Sequence, residues 1–260
     1  MPVNWMDVSS LSFNSILLLE RVQLSWFPGW LPEMELSVAL KANPVIEWWI
    51  RHKCPDIEPW LDTVLKDCNE ERSPLAIRQA EVSVLKSITD LLVYAINPTI
   101  YDALPFLKWD SRELTGAADF RDKTVIDIGA GTGRLTLLAA QSAKVVFAIE
   151  PVENLRRYLK DKARKSGFNN IFPVDGTTTA IPFPDQFADI SIGGHVFGDQ
   201  SEVEYSELAR ITRKGGQIIL CPGNNDRDNE IHQFLLEKGF LWSSFEEPVD
   251  GMKRKYWKTN

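Results

Sequence analysis

The apolar residues of this chain recur at two different periods, and the change falls near residue 120. Before it they lie three or four positions apart. Ile77, Ala80, Val84, Leu85, Ile88, Leu91, Leu92 and Ala95 form one stripe, the spacing of a single buried helix face. Ser73 is placed to cap that helix, Pro74 to occupy its first turn and Asn97-Pro98 to end it. Asn43-Pro44 opens a shorter helix, "NPVIEWWIRH", in the same way. No segment before residue 120 reads as a strand. The run "SILLL" (Ser15 to Leu19) is too short to span a membrane and has no basic residue ahead of it. It reads as part of a core helix, not as a signal peptide.

After residue 120 short apolar runs alternate with helical stretches. "TVIDIG", "KVVFAIE", "NIFPVD", "FADISIGG" and "QIILCPG" read as strands. Between them "RLTLLAAQ", "PVENLRRYLKDKARKSG" and "EVEYSELARITRKGG" read as helices, and "EIHQFLLEKGF" follows as another. "LWSSFEE" and "KRKYWKT" close the pattern as two strands joined by a turn around Asp250-Gly251. The alternation predicts an α/β fold: a Rossmann-like, doubly wound, seven-stranded and mostly parallel sheet, preceded by an all-helical domain. The predicted domains are 1–120, whose helices cover the substrate side, and 121–260, which binds the ligand.

In a doubly wound sheet ligands sit at the carboxyl ends of the strands. The loop after the first strand is Asp127-Ile128-Gly129-Ala130-Gly131-Thr132-Gly133. Its spacing is G-x-G-x-G, and Arg134 stands where a dinucleotide loop has its last glycine. No Gly-Lys-Ser/Thr follows, which excludes a P-loop. The second strand ends in Glu150, 23 residues after Asp127, where a carboxylate can accept from both hydroxyls of a ribose. The third ends in Asp175-Gly176, where a carboxylate can accept from an exocyclic amine such as that of adenine. Sites for an amino acid, a ribose and a base along one sheet edge fit S-adenosylmethionine.

Composition narrows the partners. Residues 1–120 carry 10 Lys/Arg and 17 Asp/Glu, and residues 121–260 carry 19 of each, so the first part holds the whole net charge of −7. An acidic chain without a basic patch argues against nucleic acid or an anionic membrane as the main partner. No run of 18 apolar residues predicts membrane insertion. Cys54, Cys68 and Cys221 are too few and too oddly spaced for a disulfide framework, which suggests reduced thiols in a cytoplasmic protein. His52, Cys54 and Cys68 match no paired ligand spacing, so no metal is expected. Seven of the nine tryptophans (Trp5, Trp26, Trp30, Trp48, Trp49, Trp60 and Trp109) precede residue 120, where they either pack between helices or line a pocket. Tyr94, Tyr101 and Trp109 come close enough before the first strand to reach the ligand's methionine end.

Three stretches, "VIDIGAGTGRL", "AIEP" and "VDGTTTAIPFPDQFADISIGGHVF", resemble the successive motifs of class I S-adenosylmethionine-dependent methyltransferases. The third resembles the small-molecule branch that includes the ubiquinone and menaquinone methyltransferases (methyltransferase type 11). The resemblance covers about residues 121–260. It implies that Ile128, Gly129, Ala130 and Gly131 line the methionine part, with Asp127 shaping the loop. It further implies that Glu150 binds the ribose with Pro151 beside the adenine, and that Asp175 takes the adenine amine with Gly176 alongside. Gly193, Gly194 and His195 would face the methyl group and substrate.

The implied reaction is an in-line displacement by a small organic acceptor, which leaves S-adenosylhomocysteine. Such an enzyme mainly aligns nucleophile, carbon and sulfur, and needs a general base only where the nucleophile must lose a proton. His195, just past the fourth strand, is the candidate base; the alternative is that it packs or bonds the cofactor. Asp199 reads as a helix-start residue, and His52 and His232 as surface residues. "GGHV" after the fourth strand differs from the Asn/Asp-Pro-Pro-Tyr/Phe of amino-methylating DNA enzymes. Cys221-Pro222 is not the Pro-Cys of cytosine methylation. Three other readings stay open here: a nucleotide-dependent oxidoreductase, a regulatory protein that binds S-adenosylmethionine without turnover, and a methyltransferase acting on protein or RNA.

Overall fold

The computed structural model describes residues 6–66, 73–249 and 251–260. Trp5, Cys68 and Asp250 lie outside the described residues. The chain divides into two compact units, one ending at Tyr101 and one running from Asp102 to Asn260. The segment just before the first strand belongs with the sheet because Trp109, Leu114 and Phe120 bury in its core.

The first unit is helical throughout its described residues. It contains α1 (Arg21–Ser25), α2 (Glu33–Ala42), α3 (Pro44–Lys53), α4 (Glu58–Lys66), α5 (Pro74–Ser87) and α6 (Thr89–Ile96), followed by the single turn α7 (Pro98–Asp102). The "SILLL" run lies in a 3-10 helix, Phe13–Leu18, that buries Phe13 and Ile16. Ser73 caps α5 by accepting from Ala76 N at 3.3 Å. The long apolar stripe is not one helix. It breaks at Ile88 (φ −118°, ψ 25°), where the Thr89 hydroxyl donates to the carbonyls of Lys86 (2.9 Å) and Leu85 (3.3 Å). A hydroxyl that bonds the preceding turn competes with the helical ladder, so both pieces keep their apolar faces on one core while the backbone changes direction. Trp26, Trp49 and Trp60 pack against that core. Trp48 instead stacks on exposed His52, with ring centroids 3.8 Å apart.

The second unit opens with α8 (Arg112–Thr115) and then alternates. Its elements are β1 (Thr124–Ile128), α9 (Arg134–Ala140), β2 (Val145–Ile149), α10 (Glu153–Lys165), β3 (Ile171–Val174), β4 (Ala188–Gly193), α11 (Ser201–Ile211), β5 (Thr212–Asn225), α12 (Glu230–Glu237), β6 (Leu241–Glu247) and β7 (Gly251–Thr259). They form one seven-stranded sheet in the order β3-β2-β1-β4-β5-β7-β6, antiparallel only at β7. Alternate residues of the central strands enter two cores, Val125 and Ile190 on one face and Ile126 and Ile218 on the other. That double burial is why these strands read as near-continuous apolar runs. "TRKGG", expected to end a helix, instead begins β5, because Thr212 takes extended backbone (φ −82°, ψ 126°).

Candidate active site

Four strands end level. The register aligns Ile128 of β1 with Ile149 of β2 and Gly193 of β4, and Ile149 with Val174 of β3. The next residues on β1 to β3 are therefore Gly129, Glu150 and Asp175, side by side along one edge. At about 4.8 Å per strand they span about 10 Å.

The loop after β1 turns on three glycines. Gly129, Gly131 and Gly133 have φ of +61°, +53° and +88°, angles that only glycine adopts routinely. A Cβ on Gly129 would meet Val196 Cγ2 at 2.7 Å, and one on Gly133 would overlap Leu159 Cδ1. The loop is tied to β2: Ala130 N donates to Ile149 O at 3.0 Å and Gly131 N to Glu150 Oε2 at 2.9 Å. Val152 N donates to the other Glu150 oxygen at 2.9 Å. Glu150 is 5% exposed, and burial pushes its carboxyl above the ordinary range while these two bonds oppose the shift. Asp127 lies beneath the loop, 1% exposed, and accepts from the Thr136 hydroxyl of α9. Burial pushes its carboxyl up to about 7, against the bonding of Thr136. Arg156 joins the next two positions, since its Nη1 donates to Glu150 O at 2.7 Å and to Asp175 Oδ1 at 2.8 Å. Asp175 is open, its side chain 75% exposed.

Beyond β4 the chain turns sharply at His195, whose φ of +57° is unusual for a residue with a Cβ. His195 N donates to Pro222 O at 2.9 Å, which fixes the turn against β5. Its Nε2 is 2.9 Å from Oε1 of Glu247, the last residue of β6, whose side chain is fully buried. The other oxygen, Oε2, lies 3.3 Å from Lys253 Nζ on β7, within ion-pair range but not aligned for a hydrogen bond. Lys253 Nζ donates to Asn225 Oδ1 on β5 at 2.6 Å. Phe106 meets the His195 ring edge-on at 5.4 Å. A connected row of polar groups thus runs from the end of β4 to β6, β7 and β5.

The comparisons with known proteins bear on this geometry. Residues 126–220 match the methyltransferase domain family. The chain is 27% identical over 150 residues to an uncharacterized methyltransferase of Geobacillus sp. (strain WCH70), covering 56% of this chain and 68% of that one. It is also 27% identical over 123 residues to the demethylmenaquinone methyltransferase of Geobacillus stearothermophilus, covering 44% of this chain and about half (51%) of that relative. The second unit carries a methyltransferase domain of the class I, S-adenosylmethionine-dependent kind. Its fold is similar to that of a SAM-dependent methyltransferase from Aquifex aeolicus (TM-score 0.51, 19% identity), with 62% of this chain and 97% of that one aligned.

The methyltransferase's strand ends suit its cofactor chemically. In the glycine loop the buried Thr132 hydroxyl oxygen has no partner among the described residues. Glu150 uses one lone pair per oxygen on backbone N–H groups, and a carboxylate has further acceptor sites for a diol. The structure brings Asp127, Gly129, Gly131, Glu150, Asp175 and Gly193 to one edge. Asp127 faces inward, to Thr136. Trp109 is core: 2% exposed, packed on Phe245 and under the Arg134 guanidinium, 4.7 Å from its ring centroid. His232, expected at the surface, is 3% exposed, with Nδ1 3.0 Å from the Tyr256 hydroxyl. Tyr256 is itself buried in the sheet, so α12 must turn this histidine inward to reach it. Cys221 is buried on β5, which pushes its thiol up to about 12 and leaves it a poor nucleophile. Sequence reading missed Glu247, Lys253, Arg156 and Thr136. For the first two a signal existed: the acidic end of "LWSSFEE" and the basic start of "KRKYWKT" flank one turn.

Proposed function

We propose that the chain transfers the methyl group of S-adenosylmethionine to a small organic acceptor by in-line displacement. The level ends of β1 to β4 carry this reading. In it Ile128, Gly129, Ala130 and Gly131 lie along the methionine part, and Glu150 accepts from the ribose diol with Pro151 beside the adenine. Asp175 accepts from the adenine amine, with Gly176 next to it. Gly193 and His195 face the reacting end. When bound, the cofactor supplies a methyl group on a positively charged sulfur. The protein's part is to hold the acceptor in line, keep water away and take up a proton at His195 where the acceptor must lose one. A small acceptor agrees with the menaquinone-type relative and with a chain of net charge −7. Among the described residues no helix is long and apolar enough to cross a membrane.

Calorimetric titration with S-adenosylmethionine and S-adenosylhomocysteine, on wild type and Glu150→Ala, tests the cofactor assignments. Binding by the wild type and its loss in the variant is the expected result. Equal binding by both proteins would remove Glu150 from the site. Release of S-adenosylhomocysteine across phenols, amines and carboxylates then reads out the acceptor.

A further inference from the structure

We infer that Glu247 is a positioning residue: it keeps the His195 proton on Nε2, so that Nδ1 takes the proton of a hydroxyl-bearing acceptor. The inference rests on the proposed role of His195 and adds what sets that residue and what it selects.

Three contacts hold the imidazole. The backbone turn is fixed by the bond to Pro222, Phe106 closes one edge, and Nε2 is seated on Glu247. With Lys253 beside its other oxygen, Glu247 meets the ring as a carboxylate, which accepts hydrogen bonds and donates none. The ring nitrogen facing it therefore carries the hydrogen, and the lone pair of the neutral ring is left on Nδ1. Among the described residues Nδ1 has no hydrogen-bond partner, and 32% of the side chain is exposed. The free nitrogen thus belongs to the open part of the ring.

Packing alone does not call for this arrangement. A fully buried carboxylate is costly unless paired, and an apolar side chain would fill the same space without that cost. Glu247 is reached across the sheet, 52 residues from His195, and its partner Lys253 is held by Asn225. The row ends on the His195 ring, so its effect is exerted there.

The arrangement selects the acceptor. A phenol or enol has a proton to give up, and a tertiary amine has none. In the step the hydroxyl proton passes to Nδ1. The oxygen's electron pair forms the new bond to carbon, and the carbon–sulfur pair stays on sulfur. The imidazolium, facing the Glu247 carboxylate, then returns its proton to water.

The test begins with the protein bound to S-adenosylhomocysteine and its histidines labelled with nitrogen-15, the His195 signals being assigned by their loss in His195→Gln. Long-range proton–nitrogen spectra should show one tautomer, protonated on Nε2, and Glu247→Leu should lose that preference. Glu247→Gln, which preserves shape, should bind S-adenosylhomocysteine normally. Its turnover with a phenol probe should fall about 10- to 100-fold, part of the range a general base commands, and Glu247→Asp should recover some of the loss. An unchanged tautomer in Glu247→Leu overturns the positioning role. Wild-type turnover of tertiary amines but not phenols overturns the selection. Loss of the tautomer preference alongside full turnover of a phenol by His195→Ala defeats the proton-acceptor reading itself, separately from the link between the two residues.

Discussion

The two halves of the sheet edge are built differently. The half formed by β1 to β3 is local. Glu150 is 19 residues from Gly131, and Arg156 spans two adjacent strand ends. Its angles come from glycines that lie next to each other in sequence. The half formed by β4 to β7 is assembled at long range. His195 meets Glu247 52 residues away, and Lys253 meets Asn225 28 residues away. The β1 to β3 half is thus set by residues close together in sequence, and the β4 to β7 half by side chains that several strands must deliver together.

That contrast can be broken most forcefully at Lys253. Lys253→Met leaves Glu247 buried with its cation removed, which should cost about 3–5 kcal/mol of stability, with S-adenosylhomocysteine affinity unchanged. Denaturant unfolding and calorimetry check both parts; coupled losses would mean that the two halves are not separate. Gly133→Ala strikes the other half. A side chain at φ +88°, crowding Leu159, should cost about 2–4 kcal/mol. Here cofactor binding should weaken too.

Asp127 offers a smaller, pH-dependent test. In the folded chain its carboxyl keeps a proton up to about 7, against 3.8 when unperturbed. Between those values the folded chain binds more protons than the unfolded one, so this group's contribution to stability falls as pH rises. The slope is at most about 1.4 kcal/mol per pH unit. Asp127→Asn should remove that component, seen as a flatter difference between unfolding curves at pH 5 and pH 7. Parallel curves would show that Asp127 is ionised throughout. The smallest effect is expected at Asp175. Its pair with Arg156 is solvent-exposed, so Asp175→Asn should change stability by less than about 1 kcal/mol. Cofactor affinity should drop several-fold in the same variant, and a variant that binds as wild type would detach Asp175 from the adenine.

The same contrast explains what could be read before the fold was seen. The β1 to β3 half was legible because strand, glycines and carboxylates follow one another in a fixed order, and a parallel sheet must set them side by side. The sheet itself was legible from alternation, including the final antiparallel pair. The break at Ile88 was not, since the apolar stripe runs through it and only the Thr89 hydroxyl shows why the helix stops. Nor was the inward turn of His232, whose partner Tyr256 lies on another strand. Glu247 read as an ordinary strand-end acid. Nothing local distinguishes it from exposed Glu246, its neighbour on the opposite face.

The insertion of β7 between β5 and β6 has a consequence for the order in which the chain is made. In the order of synthesis the three strands that lead to Gly129, Glu150 and Asp175 all precede β4. β7 is the last of the seven strands to be synthesised, yet it lies between two older ones. Until it threads into that gap, β6 has no neighbour in the sheet and Glu247 has neither Lys253 nor a fixed place beside His195. A nascent chain therefore has the strand ends that carry Gly129, Glu150 and Asp175 early. The row that joins His195 to Glu247 and Lys253 can form only after β7 has been made.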